Sequence, residues 1–159
     1  MKARRSRSFA ARHGEFDVTI ELHYYPVHTI PDPLDVVWCR FPLEELPRLP
    51  APSPHPALVR AVELFHGHTK ARVEVTFGTS KNVHETSLDL IIANLEEMNV
   101  AGLFQNTRFK LDKTRKLPWA EEFFVAPEGK KSPIIGHLGS TSIAQLEAIK
   151  VLRRRPGRR

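Results

Sequence analysis

The sequence predicts a small, mainly β fold: a strongly bent sheet or barrel of five to seven short strands, with one or two helices. Three observations support this prediction. Short runs with an apolar residue at every second position recur along the chain, and a helical period is convincing only near its end. Six of the 13 prolines fall within 15 residues, from Pro42 to Pro56, and predict a long surface loop because proline lacks the backbone donor that a central strand needs.

The strand candidates follow one another along most of the chain. They are 15–25, 34–41, 57–65, 71–77, 87–93, 107–113 with 115–119 behind it, and 121–125. The proline-rich loop 42–54, a turn at 66–69 and a small polar loop at 78–82 separate them. Residues 96–101 are predicted to be a short linker or turn.

A single segment, 140–152, has a convincing helical pattern. Ile143, Leu146 and Ile149 mark an apolar stripe along it. Residues 140–142 are Ser-Thr-Ser and supply an N-cap candidate, while Pro156 is expected to stop the helix. Basic residues lie at its C-terminal end, where the helix dipole stabilises positive charge.

The net charge of +6 belongs to the two ends of the chain. Residues 1–14 and 150–159 hold 11 of the 24 Lys and Arg residues, whereas 15–149 has 13 of them against all 18 acidic residues. Nucleic-acid contact must therefore come from the tails or from a local cluster. We predict a domain at 34–152, a basic tail at 153–159 and, at 1–33, a basic extension with a possible extra strand, whose first residues resemble a transit peptide or a disordered arm.

Composition also excludes several kinds of site. The single cysteine, Cys39, excludes an internal disulfide and a multi-cysteine zinc site, and its place in a strand favours a small buried side chain. No apolar run is long enough to span a membrane. His66 and His68 lack a convincingly spaced third ligand, so we predict no metal site and no cofactor.

The strongest local nucleic-acid signal lies at 108–116. Five basic residues meet one acidic residue there, and Arg108 and Lys110 would share one face of a strand. Such a ridge could follow a phosphate backbone, or it could be the solvated outer face of a strand. Trp38 and Trp119 could stack on bases, although a place in the core is the commoner role for tryptophan in such strings.

Several short strings also occur in a characteristic order between residues 34 and 152. They are Asp-Val-Val-Trp-Cys-Arg-Phe-Pro at 35–42, His-Pro-Ala-Leu-Val at 55–59, Gly-Thr-Ser at 78–80, Ala-Gly-Leu at 101–103, Thr-Arg-Phe at 107–109, Leu-Pro-Trp at 117–119 and Ile-Gly-His-Leu at 135–138. With the loop after the first string and the helix after the last, they resemble the MazF/PemK family of toxin ribonucleases.

The resemblance implies an SH3-like, partly open β-barrel with a C-terminal helix. It also implies a cytoplasmic endoribonuclease that cuts single-stranded RNA without metal, acts as a homodimer and is inhibited by a protein antitoxin. His55 and Thr79 would form the catalytic centre. The supporting RNA contacts would be Arg40, Ser80, Lys81, Asn82, Arg108 and Lys110, and the loop 42–54 would border the groove.

This sequence departs from the family at its centre, because His55 stands where the family has its catalytic arginine. A histidine can act as a base or an acid near neutral pH, but it lacks the permanent charge and the bidentate geometry of arginine. His55 could therefore run a modified reaction with Thr79 holding the phosphate. The alternative is a catalytically degenerate SH3-like module that binds RNA or a peptide, with His55 as a loop residue and 78–80 as an ordinary polar turn.

Overall fold

The computed structural model describes residues 7–13, 16–84 and 88–154, with side chains from Ile20 onwards. These residues form eight strands and two α-helices, with one 3₁₀ turn at Val27–Thr29. The strands are β1 Arg7–His13, β2 Phe16–Leu22, β3 Asp35–Cys39, β4 His55–Phe65, β5 Lys70–Thr79, β6 Leu90–Ile92, β7 Thr107–Pro118 and β8 Ile134–His137. The helices are α1 Leu95–Ala101 and α2 Ser140–Arg153.

The main sheet is antiparallel and curled. In the described part of the chain it has six strands in the order β6-β7-β5-β4-β3-β8, while β1 and β2 form a separate hairpin. Helix α1 directly follows the edge strand β6 and packs against the other edge strand, β8. The approach is close: a Cβ on Gly136 of β8 would lie 2.3 Å from the carbonyl carbon of Ala101. The predicted fold class, mainly β and barrel-like with a C-terminal helix, is confirmed.

Side chains alternate between two apolar clusters on the two faces of the sheet. Val37 of β3 and Ala57 of β4 belong to one cluster, while their neighbours Val36 and Leu58 belong to the other. Trp119 and three buried phenylalanines belong to the first cluster, and residues of both helices cover the second. This alternation is the one that a two-sided sheet imposes on its strands.

The segment 20–33 packs against the first cluster. Leu22 is buried in it, and the rings of Tyr24 and Tyr25 pack against it. The Trp119 indole donates a hydrogen bond to the Thr29 hydroxyl at 3.1 Å. The prolines after the first strand pattern predict that 1–33 is an extension. In the structure, contacts with residues about a hundred positions away hold 20–33 on the core.

Most predicted strands are confirmed, including those at 57–65, 71–77 and 107–119. Strand β5 continues through Gly78 and Thr79, although the polar residues at 78–82 predict a loop there. Gly78 lies opposite Phe109, and a Cβ on it would stand 2.6 Å from the Pro56 carbonyl oxygen. Glycine therefore lets the end of β5 run close to the start of β4, and the polar loop begins only at Ser80.

Two other assignments are corrected. Residues 121–125 form turns with only an isolated bridge between Phe124 and Cys39. Phe123 and Phe124 are both buried in the first cluster, whereas a strand would send neighbouring side chains to opposite faces of the sheet. The additional strand is β8 instead. At the start of α2 the predicted Ser-Thr-Ser cap is replaced by Glu97 of α1, whose Oε1 accepts hydrogen bonds from the Ser142 N–H at 2.8 Å and hydroxyl at 2.7 Å.

Residues 95–101, most of which were predicted to be a linker or turn, form helix α1. Only Met98 and Ala101 of this short helix are buried, so the sequence contains no apolar stripe of useful length. Its ends carry the signals instead: the Asn94 side chain accepts hydrogen bonds from the N–H groups of Glu96 and Glu97, and Gly102 adopts a left-handed conformation at the other end.

Removing the N-cap should destabilise the protein measurably. Asn94→Ala leaves two N–H groups without their side-chain acceptor, and we expect a loss of about 1 kcal/mol in the free energy of unfolding. Urea unfolding followed by tryptophan fluorescence measures it. Asn99→Ala, an exposed position inside α1, is the matched control and should change stability by less than about 0.5 kcal/mol. Equal effects of the two substitutions would contradict the capping role.

Candidate functional site

A cleft of about 450 Å³ lies where the start of β4, the end of β5 and the start of β7 meet. Antiparallel pairing brings these three strand ends together, since β5 lies between β4 and β7. The described residues that line the cleft are His55, Phe77, Thr79, Lys81, Asn82, Arg108 and Lys110. Three of these seven side chains are basic and none is acidic, which favours an anionic ligand.

His55 is the first residue of β4 and lies half-buried on one wall of the cleft. Its ring packs against that of Phe77 with 5.3 Å between centroids. Burial, together with the positive charges of Lys81 and Lys113, holds the pKa of His55 below its ordinary value of 6.5. The imidazole is therefore neutral at pH 7 and able to accept a proton.

Thr79 ends β5 and presents a hydroxyl to the same cleft. Its Oγ1 accepts a hydrogen bond from the backbone N–H of Lys81 at 3.1 Å. Because that bond uses a lone pair, the hydroxyl proton is available to a ligand oxygen. The turn continues to Asn82, whose left-handed conformation (φ 53°) is one that asparagine adopts more readily than most residues.

Strand β7 bulges at the cleft. Thr76 pairs with Thr114 and Gly78 pairs with Phe109, so residues 110–113 all lie opposite the single residue Phe77. The bulge places Lys110 in the cleft wall and Lys113 over the Phe77 ring, with Nζ 4.5 Å from the centroid. Bulges of this kind redirect side chains, often beside functional sites.

Arg108 connects two walls of the cleft from inside the protein. The residue is only 6% exposed, and its Nε lies 3.1 Å from Oδ2 of Asp89, which is also buried. Its Nη1 donates to the Asn82 carbonyl at 2.8 Å. Asp89 Oδ1 accepts from the Leu111 N–H in the bulge at 2.9 Å. The expected exposed ridge with Lys110 is therefore wrong for Arg108, because a buried carboxylate holds its guanidinium in place.

The cleft unites six of the eight site residues predicted from the sequence: His55, Thr79, Lys81, Asn82, Arg108 and Lys110. Arg40 and Ser80 are not among the lining residues. The Arg40 guanidinium instead donates to the carbonyls of Ala51 and Pro52 and ties down the proline-rich loop, and Ser80 is exposed on the turn.

Sequence reasoning missed three residues that shape the cleft. The sequence pattern predicts Phe77 only as part of an apolar strand face, and Lys113 only as one member of the basic cluster at 108–116. Asp89 was not singled out. A lone acidic residue before an apolar strand carries no recognisable signal, because its role depends on Arg108 and Leu111, which lie about twenty positions further along the chain.

The other candidate residues from the sequence do not line the cleft. Cys39 is buried in the core, which raises the pKa of its thiol. Trp119 lies fully in the core, whereas Trp38 is half-buried. His66 and His68 are exposed at the β4–β5 turn, and within residues 7–13, 16–84 and 88–154 no three His, Cys, Asp or Glu side chains cluster closely enough to hold a metal ion.

Comparison with known proteins assigns no family. No protein-family model matches the chain, and no curated protein matches it. Where the structure describes the chain, no helix has the length and apolar character needed to cross a membrane. Two features bear on function: the cleft and the sequence strings that resemble the toxin ribonucleases.

Proposed function

We propose that this chain is a MazF/PemK-like endoribonuclease that cleaves single-stranded RNA without metal. The observation that carries the proposal is the cleft itself, which holds a neutral histidine, a threonine hydroxyl and basic side chains together at the ends of three strands. These are the groups that a phosphodiester and its ribose 2′-hydroxyl require. The order of the strings along 34–152 supports the same assignment.

The proposed reaction begins with proton transfer to His55. The neutral imidazole accepts the proton of the 2′-hydroxyl as the 2′-oxygen attacks the adjacent phosphorus. The 2′-O–P bond forms, the bond from phosphorus to the 5′-oxygen breaks, and the leaving oxygen takes a proton from solvent or from a cleft lysine. The products are a 2′,3′-cyclic phosphate and a 5′-hydroxyl.

Thr79, Lys81 and Lys110 act on the charge that develops during this step. The pentacoordinate phosphorus carries one more negative charge than the phosphodiester, and the Thr79 hydroxyl can donate to one of its oxygens. The two ammonium groups supply positive charge from two walls of the cleft. Arg108 contributes by holding the turn that carries Lys81 and Asn82.

Within the same proposal, the protein is a cytoplasmic homodimer that an antitoxin inhibits by occupying the cleft. These three properties come from the family resemblance alone. Size-exclusion chromatography with light scattering tests the dimer. Growth arrest on expression without the partner, relieved by its co-expression, tests the antitoxin.

A binding module that does not cut RNA is the second candidate. One observation favours it: the position of the family's catalytic arginine holds His55, whose ring packs against Phe77. The basic, open cleft would then bind an RNA backbone with strongly salt-dependent affinity and leave it intact.

Cleavage of a long unstructured RNA in EDTA tests the proposal. We expect the wild type to cut, with kcat/KM rising with pH and levelling off below the ordinary histidine pKa of about 6.5, because only neutral His55 accepts the proton. His55→Ala should lower kcat/KM by about a hundredfold or more. Thr79→Ala should lower it about tenfold or more, since it removes one phosphate donor.

The exposed residues His28 and Thr141 provide matched controls. His28→Ala and Thr141→Ala should leave the rate unchanged. A folded wild type that binds several RNAs but cuts none of them would replace the ribonuclease with the binding module. Cleavage that His55→Ala leaves intact would remove His55 from the catalytic centre.

A further inference from the structure

Among the described residues, the charges that act on the pKa of His55 are those of two lysines, Lys81 and Lys113. In the described part of the chain, Lys81 approaches from the turn after β5, and Lys113 from the bulge of β7, where it lies over the Phe77 ring that also contacts His55. On β3 the register partner of His55 is Cys39, whose buried thiol is uncharged. From β5, the residues in the cleft are Phe77 and Thr79, neither of which is charged.

The far wall of the cleft continues this pattern. Lys110 contributes another ammonium group, and the charge of Arg108 is paired with that of buried Asp89, which is not among the lining residues. A proton placed on His55 therefore joins an existing positive field at a half-buried position. Burial and like charge both oppose that proton.

An anion bound in the cleft would favour protonation of His55, which the lysine charges alone oppose. A tetrahedral dianion held by Thr79, Lys81 and Lys110 offsets the field of the lysines and supplies a hydrogen-bond acceptor for the imidazolium. We propose that a phosphate group bound in this cleft and a proton on His55 are taken up together, each strengthening the binding of the other. The identification of the ligand as an RNA phosphate rests on the proposed function.

This coupling gives the transition state an advantage over the ground state. The phosphodiester carries one negative charge when it binds, and the charge doubles as the 2′-oxygen attacks. Once His55 has taken the proton of the 2′-hydroxyl, the resulting imidazolium is therefore stabilised most by the additional negative charge of the phosphorane. Interactions that strengthen only in the transition state are those that raise kcat.

Proton NMR of the His55 C2–H, assigned by its loss in His55→Ala, measures the coupling directly. Sulfate is the first probe, because its charge is constant over the histidine titration range. Against chloride at equal ionic strength, we expect sulfate to raise the titration midpoint of His55 by about one pH unit. By linkage, sulfate should bind about tenfold more tightly to the protonated form than to the neutral form.

Variants identify the charges responsible. Lys81→Gln and Lys113→Gln should each raise the midpoint of His55 without sulfate, and Lys81→Gln should also weaken the sulfate response. Lys116→Gln, an exposed change on the same strand as Lys113, should do neither. A nucleoside 3′-monophosphate should give a shift at least as large as that of sulfate, which would support a nucleotide phosphate as the ligand.

A midpoint that sulfate and the nucleotide leave unmoved would overturn this inference, whether or not RNA is cut. The inference would also be overturned if Lys81→Gln, Lys113→Gln and the wild type had the same midpoint without sulfate and the same rise in midpoint with it. The coupling would then not come from the lysines of the cleft. An intact NMR response in a protein that cuts no RNA would overturn the proposed function alone and would leave the linkage as a property of an anion-binding module.

Discussion

Asp89→Ala is expected to lower the free energy of unfolding by about 3 to 5 kcal/mol. The Asp89 carboxylate is 8% exposed, lies 3.1 Å from Arg108 Nε and accepts a hydrogen bond from Leu111 N–H in the bulge. Alanine would leave the Arg108 charge buried without this carboxylate, and breaking a buried pair on one side costs about that much. Urea unfolding measures the loss.

Three further variants test the cause. Asp112→Ala removes an acidic residue from the same bulge, but its side chain is 85% exposed in an ion pair with Arg153, so the loss should stay below about 1 kcal/mol. Asp89→Asn keeps an acceptor for the Leu111 N–H, so its loss of unfolding free energy should lie between those of Asp112→Ala and Asp89→Ala. The double variant Asp89→Ala/Arg108→Ala should cost less than the sum of its single changes, since it removes the buried charge as well.

Substitution of Asp89 should also disturb the positions of the residues that line the cleft. Arg108 holds the Asn82 carbonyl, and Asp89 holds the bulge that carries Lys110. We therefore expect folded Asp89→Asn to bind sulfate more weakly than Asp112→Asn does. A loss of stability in Asp89→Ala no larger than that in Asp112→Ala would contradict the role of Asp89 in holding the bulge and the turn.

Gly102→Ala should destabilise the protein by about 3 kcal/mol or more. Gly102 ends α1 with φ 72°, and a Cβ there would lie 2.0 Å from the Ile135 carbonyl oxygen of β8. A left-handed conformation costs about 1 to 2 kcal/mol with a side chain, and overpacking against backbone adds about 1 to 3 kcal/mol. This contact joins α1, which follows one edge of the sheet, to the other edge.

Gly67→Ala separates the two contributions. Gly67 has a similar backbone conformation (φ 66°), but a Cβ there meets no atom within 4 Å. It should therefore show only the conformational cost, about 1 to 2 kcal/mol. Thermal and urea unfolding of both variants give the difference. Equal losses would mean that the α1–β8 contact adjusts easily and does not hold the edges of the sheet together.

The candidate site was only partly predictable. His55 and Thr79 could be selected because a family resemblance pointed to their strings, and Lys81 and Asn82 because they extend the polar turn after Thr79; all four side chains line the cleft. Arg108 was selected for its charge and lines the cleft too, yet its ion pair with Asp89 makes it a positioning residue. Charge in a sequence does not reveal whether a counter-ion from elsewhere in the chain will bury it.

The sequence by itself determined the mainly β fold class, the long strands and the C-terminal helix. These features depend on local periodicity, proline and glycine, and each is set by residues within a few positions of one another. The alternation in 71–77 and the stripe in 143–149 are examples. Helix α1 was missed because its local signals lie only at its two ends.

Only the tertiary structure decided how these elements form a cleft. The bulge at 110–113 exists opposite Phe77 and is held by Asp89, and residues 20–33 join the core through Trp119. Each of these contacts joins residues that lie more than twenty positions apart. Their pairing depends on which strands become neighbours and where their register shifts. The contacts that stabilise this pairing form between distant segments, so no single segment contains both partners.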